Sequence, residues 1–340
     1  MTPCLKVIRS GPTCTIQDGG RIGWLRYGVT PAGPMDWIAH REASVLAGND
    51  GQSAAIEIGP GRLDVEADGA PLRIGLSAIG FDVRRGETAV ASRGAITLMP
   101  GEQLTIKSGS SHLWSYLALA GGMALEPVMG SLSMHLRSGI GPLGGKFLTP
   151  AAEIPVAHPE RGADLPDMEC AAEPRSKARK IRFIPGPQDD YFTAGAISDL
   201  CSADYVVSPN SDRMGYRLDG PALRHAKGHD IVSDGIVMGA IQVPGDGRPI
   251  VLMADRQPTG GYPKIGTVIR ADLPRLAQTR AGEAIQFERV SIAEAVEALR
   301  GAVLEAHSIV SVCRPMRQGI DLEKLASGDY VSGIVNAHAN

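Results

Sequence analysis

Short stretches in which apolar and polar side chains alternate recur along the chain, and each reads as a half-buried β-strand. Residues 62–67 and 103–107 alternate most cleanly, the second after the turn Pro100-Gly101-Glu102. Residues 73–76, 95–98 and 116–119 predict further short strands. The series continues in the second half with 205–207, 231–232, 250–253 and 285–287. Helices are few. Asp36 is placed to cap a helix over 37–47 that stops at Gly48-Asn49. Ser291 and Glu294 form a capping box for a second helix. Its Ile292, Ala295, Val296, Leu299 and Val303 share one apolar face, which predicts packing into the core.

The 42 glycines and 24 prolines are spread along the chain, as many tight turns between short strands require. Residues 151–180 change character, being rich in Pro, Glu, Asp, Arg and Ala without clear periodicity. They predict a connection over 151–178 between a domain at 1–150 and another at 179–306, with 307–340 as a C-terminal extension. The two halves echo one another. Ile8-Arg9 before Gly11-Pro12 matches Ile181-Arg182 before Gly186-Pro187, Met35 matches Met214, and Gly101-Glu102 matches Gly282-Glu283. The common offset of roughly 174 to 181 residues is what a duplicated β-rich domain gives.

Composition narrows the function classes. A net charge of −3 and 4% aromatic residues argue against nucleic-acid binding, which needs a basic field and stacking platforms. No run of 18 apolar residues predicts a membrane span, and the N-terminus lacks the pattern of a signal peptide. The five cysteines are scattered, without Cys-x-x-Cys, so a reducing cytoplasm is the expected compartment.

Several candidate motifs lack a complete set of partners. His225 and His229 are four apart but have no third ligand, so no metal site is expected. Gly141-Pro142-Leu143-Gly144-Gly145-Lys146-Phe147 lacks the first glycine and the final Ser/Thr of a phosphate loop. Gln17, Asp18 and Arg21 lie together in a turn-rich segment, where Asp18 is suited to an Asx-turn with Arg21 paired to it.

The region 208–264 is chemically denser. Ser211-Asp212-Arg213-Met214-Gly215 is followed by Gln242, and then by Asp255-Arg256-Gln257-Pro258-Thr259-Gly260-Gly261-Tyr262-Pro263-Lys264. Arg213 and Arg256 are forked donors for a carboxylate, and Asp212 and Asp255 are candidate proton carriers. Each aspartate is equally suited to an ion pair with an arginine. Lys264 follows a glycine-rich turn that lets backbone N–H groups approach a ligand.

These segments resemble a known family. Gly11-Pro12, Gln17-Asp18 and Arg21, the loop from Gly28 through Gly33-Pro34-Met35-Asp36, Gly48-Asn49, Ala55-Ile56-Glu57, Ala120-Gly121-Gly122 and Gly130-Ser131 carry the likeness in the first half. Pro185-Gly186-Pro187-Gln188, Ser211 to Gly215, Gly239 to Gly247 and Asp255 to Lys264 carry it in the second. Together they are similar to the biotin-dependent carboxyltransferase-like family of allophanate hydrolase second-subunit type. That family includes the C-type subunit of 5-oxoprolinase and the carboxyltransferase domain of urea carboxylase.

The resemblance implies a mainly β fold of two tandem cyclophilin-like β-barrel domains with a few short helices. It implies an ATP-dependent amide or lactam hydrolase component that opens 5-oxoproline to glutamate. It equally accommodates carboxyl transfer from carboxybiotin to a urea or amide nitrogen, or a non-catalytic regulator of a kinase-inhibitor partner. ATP would bind here or on a partner, and biotin would arrive on a separate carrier. The implied partners are a smaller protein of allophanate-hydrolase first-subunit type (the B-type component) and a further A-type component. Asp212, Arg213, Asp255 and Lys264 are the implied catalytic residues. Gln242, Gln257, Tyr262, Gln17, Asp18 and Arg21 are the implied substrate-binding residues. The chain departs from the family pattern at Pro258, Leu132, Met134 and Lys146, so the first-half copy of the site is altered in charge and hydrogen bonding.

Overall fold

The protein is described by a computed structural model covering residues 2–171 and 180–316; the parts of the expected connection and extension at 172–179 and 317–340 lie outside the described residues. The first half is two antiparallel sheets facing each other. One runs in the order Glu153–Pro155, Cys4–Ser10, Arg62–Asp68, Gln103–Ser108, Phe81–Arg85 and Thr88–Ala89. The other runs Cys14–Gln17, Ala55–Ile58, Ser115–Leu119, Leu72–Ser77, Arg93–Leu98, Met168–Cys170 and Cys313–Pro315. Leu5, Val7, Leu63 and Val65 of the first meet Ile16, Ile56, Ile74 and Leu117 of the second in one core. The alternation read from the sequence is the alternation of these inward positions.

The second half closes into a seven-stranded barrel. Its order is Lys180–Pro185, Lys264–Val268, Ala240–Gln242, Ile250–Leu252, Gly215–Asp219, Asp204–Val207 and Ala284–Arg289. The last strand pairs in parallel with the first and completes the ring. Phe183, Tyr205, Ile241, Val251, Ile265 and Phe287 fill it. Residues 231–232, expected as a strand, are irregular, and the strand forms at Asp234–Gly235 instead.

Two turns at the expected offset share their geometry. Gly101 and Gly282 both have φ of 85°, where a side chain would be strained. Gly101 N–H donates to the Ala67 carbonyl and Gly282 N–H to the Val207 carbonyl, each at 2.8 Å. Glu102 and Glu283 each fold back to accept the N–H three residues earlier, at 2.9 Å.

The segment expected as a connection contributes Glu153–Pro155 to one sheet of the first half and Met168–Cys170 to the other. The Arg73 guanidinium fastens it through the carbonyls of Leu165 and Pro166. The chain also returns after the barrel, because Cys313–Pro315 pairs with Met168–Cys170. Cys170 and Cys313 face each other there and form a disulfide, a tie that their separation of 143 residues did not announce.

Helix α1 (Trp37–Leu46) is capped by Asp36, whose Oδ1 accepts from the N–H groups of Ile38 and Ala39. Short helices α2 (Ala196–Ser202) and α3 (Leu273–Ala277) close the barrel side. Helix α4 (Ile292–His307) has the expected capping box. The expected core packing of its apolar face is only partial: Ile292 is 70% exposed and Val296 41% exposed, Ala295, Leu299 and Val303 are half-buried, and Ala306 is the helix's buried residue. The helix rests on α1 at its C-terminal end, while Ala298, Gly301 and Ala302 line an open cavity of about 920 Å³ between the halves. Amphipathic spacing specifies a stripe but not what covers it. Among the described residues no helix is long and apolar enough to cross a membrane.

Candidate functional site

The residues singled out in the sequence fall into three places. In the first half, Gln17, Asp18 and Arg21 fasten the loop 128–134 onto the strand Cys14–Gln17. Asp18 accepts from Ser131 Oγ and Ser133 Oγ (2.7 Å each), from Leu132 N–H (2.6 Å) and from Gly20 N–H (2.9 Å). Burial works to raise its pKa, but these four donors outweigh it and the net shift is downward. Gln17 donates to the Met134 carbonyl and accepts from Gly33 N–H. Arg21 does not pair with Asp18 as expected. Its Nε and Nη2 reach the carbonyls of Val128 and Ser133. This copy is a latch onto its own loop, although Arg21 Nη1 is buried without a hydrogen-bond partner, and Met134 is core. Lys146 is exposed.

Arg213 and Asp255 occupy the seam between the halves. Arg213 Nε and Nη2 bond both Asp255 oxygens at 2.9 Å, Nη2 also reaches the Gly33 carbonyl at 2.8 Å, and Nη1 bonds Glu57 Oε1. Glu57 Oε2 in turn accepts from Tyr116 Oη (2.6 Å) and Met35 N–H (2.8 Å). Burial pushes the Glu57 carboxyl up. Burial also disfavours the Arg213 charge, yet Asp255 and Glu57 outweigh it and hold the guanidinium ionised. The fork and both Asp255 oxygens are therefore bonded within the protein, the ion-pair alternative to their expected roles as substrate ligand and proton carrier. Asp212 is exposed and accepts from Met214 N–H at 2.8 Å, on the wall of an apolar cleft of about 650 Å³. Glu57 stood in the sequence only as part of a motif, with nothing to link it to a residue 156 positions away.

The third place is the outer wall of the barrel. Gly215 pairs with Leu252 and Gln242 with Ile250, so Gln242 and Lys264 lie at the rim opposite Arg213. A two-stranded ribbon, Asp234–Gly235 with Thr259–Gly260, crosses this wall. Ile236 anchors it on Ala240, Leu252 and Ile250. Gly260 permits the close approach: a Cβ there would stand 2.6 Å from Gln242 Nε2 and 2.5 Å from Ile236 Cδ1.

Beneath the ribbon lie two buried cations. Lys264, 4% exposed, donates from Nζ to Asp234 Oδ2 at 2.8 Å, and Gln188 Nε2 reaches the same oxygen at 3.3 Å. Arg256, 6% exposed, donates to the carbonyls of Ile236 (3.3 Å) and Met253 (3.5 Å) and has no carboxylate partner among the described residues. Burial drags its pKa down to about 10. Both cations hold one extended segment two residues apart, about 7 Å along the chain. Gln242 is buried here with Nε2 toward the Tyr262 carbonyl at 3.5 Å, while Gln257 is half-buried and Tyr262 exposed. Asp234 and Gln188 were not foreseen as site residues; a lone Asp before Gly235 reads as an ordinary turn.

The phosphate-loop likeness at 141–147 does not fit a nucleotide. Pro142–Gly145 is a single 3₁₀ turn with Leu143 at φ of 53°, and no α-helix follows to present N–H groups to a phosphate.

Known proteins place this arrangement. The chain is 38% identical to the C-type subunit of the Escherichia coli 5-oxoprolinase over 297 residues, covering 86% of this chain and 94% of that one. It is 32% identical to the corresponding 5-oxoprolinase subunit of Haemophilus influenzae, covering 84% and 91%. The crystal structure of the Kluyveromyces lactis urea amidolyase superposes with a TM-score of 0.82 at 25% identity, covering 91% of this chain but 20% of that much longer one. Residues 27–289 match the carboxyltransferase domain, subdomain A and B. The chain belongs to this carboxyltransferase-domain family.

Proposed function

We propose that the chain serves as the C-type subunit of an ATP-dependent 5-oxoprolinase-type assembly, binding an anionic lactam beneath the barrel-wall ribbon. The observation that carries this reading is the pair of buried cations, Arg256 without a carboxylate and Lys264 with only the half-exposed Asp234. A buried cation is costly unless an anion meets it, so such a pair suits a ligand that brings one. 5-Oxoproline has a carboxylate for Lys264 and Arg256 and an amide for the Gln242 and Gln257 side chains. Opening the lactam adds water across its C–N bond, hydroxyl to the carbonyl carbon and proton to nitrogen. This chain's part is to bind and orient. Activation by ATP belongs to a partner protein, in line with the poor phosphate-loop fit.

Carboxyl transfer from carboxybiotin is the second reading, favoured by the likeness to urea amidolyase. The two separate in one experiment. The chain is purified with the smaller B-type component and the A-type component, and ATP-dependent turnover is measured with 5-oxoproline and with urea, with and without avidin. Avidin-insensitive turnover of 5-oxoproline is expected, and Arg256→Met or Lys264→Met should lower its kcat/KM by about 10- to 100-fold, the scale of a hydrogen bond to a charged group. Turnover of urea alone, blocked by avidin, would establish the second reading. A partner-dependent complex with no turnover of either would make the chain a regulator.

A further inference from the structure

We propose that Asp234 is a specificity-determining counter-ion, holding on Lys264 the place of the substrate carboxylate and giving way only to an anion. The inference rests on the barrel-wall reading above and adds how that site chooses its ligand.

The charge of Lys264 is balanced with Asp234 in place. Glu57 and Asp255 are held by Arg213 at the seam, away from the ribbon. Asp234 is the solvent-accessible member of its pair with Lys264. Its side chain is 52% exposed, whereas Lys264 is 4% exposed. Its neighbour Val232 is 92% exposed. Two main-chain bonds tie this arm to the other strand of the ribbon, Ile231 N–H to Gly261 (2.8 Å) and Ile236 N–H to Pro258 (3.0 Å). Ile236 pins one end on the barrel wall, and release of the pairing of Asp234–Gly235 with Thr259–Gly260 would let the arm swing about it.

Exchange by a carboxylate keeps the balance, because Asp234 moves a short way into water while the ligand takes its place on Lys264. Exchange by a neutral amide leaves Lys264 buried and unpaired, the arrangement that low-dielectric surroundings penalise most. The ribbon therefore discriminates by charge before any contact with the amide. An acidic lactam passes, while urea or an uncharged lactam does not.

The test is calorimetric titration of the full chain, alone and with its partner proteins, using 5-oxoproline and the neutral lactam 2-pyrrolidinone. The native protein should bind the acid and not the neutral ring. Asp234→Asn should tighten 5-oxoproline binding at least tenfold and speed amide hydrogen exchange at Ile231. Unchanged or weaker binding by Asp234→Asn, with Lys264→Met still abolishing it, overturns the counter-ion role and leaves the site standing. Undiminished binding in both Lys264→Met and Arg256→Met, or no binding of 5-oxoproline to any form, overturns the site and the counter-ion together.

Discussion

Replacing Arg213 with methionine separates a seam residue from a substrate ligand. Arg213 makes four hydrogen bonds to Glu57, Asp255 and Gly33 and is nearly fully buried, as are both carboxylates. Methionine matches much of its volume but leaves two acids facing each other away from water. Breaking a buried pair by removing one partner costs about 3–5 kcal/mol. One acid will take up a proton to lessen this, more readily as pH falls, so the lower part of that range is expected below neutral pH and the upper part above it. The assay is urea unfolding followed by Trp114, a buried tryptophan lining the clefts between the halves. Adding Glu57→Gln and Asp255→Asn should recover most of the loss, because no unpaired charge then remains. If Arg213→Met stays within about 1 kcal/mol of the native protein and instead raises KM for 5-oxoproline, the seam assignment is wrong and Arg213 faces substrate.

Two further predictions test the surroundings. His40 on α1 is buried against Tyr116, donates from Nε2 to the Gln17 carbonyl, and has its pKa pushed by burial down to about 4. The unfolded chain binds the proton first, so this contribution is complete above about pH 6.5 and is lost as pH falls toward 4, amounting to about 3 kcal/mol. Stability measured from pH 7 to 4 should show that slope, and His40→Gln should flatten it; an unchanged slope refutes the assignment. Gly260→Ala drives a Cβ into Gln242 Nε2 and Ile236 Cδ1 and should lift the ribbon. Binding of 5-oxoproline should fall at least tenfold while the unfolding midpoint, read by circular dichroism, barely moves, and intact binding would show that the ribbon does not cover the site.

Much of the architecture was legible because it is local. Asp36 caps α1 through N–H groups two and three residues away, Ser291 and Glu294 cap α4 across three, and the Gly101 and Gly282 turns each close within four. Interactions that short leave their spacing in the chain, and the turn repeats in both halves. Lys264, Gln242, Gln257 and Tyr262 stood out as candidates, because glycine and proline around polar residues mark a built loop. Their arrangement was not. Sequence spacing could not say that Arg213 would be saturated by Glu57 and Asp255 while its neighbour in motif, Arg256, would be left with carbonyls alone. Nor could it say that Asp234 would lie over Lys264, or that the apolar stripe of α4 would be only half covered. The contacts of Arg213, Arg256 and Asp234 bring together segments 20 to 156 residues apart in sequence. Residue types and turn spacing thus determined that the chain is β-rich, with matching turns in its two halves and a polar loop cluster in the second. Which cations are buried, and which of them lacks an anion, was decided only when the barrel closed and the halves packed, because burial and partner geometry belong to the folded chain alone.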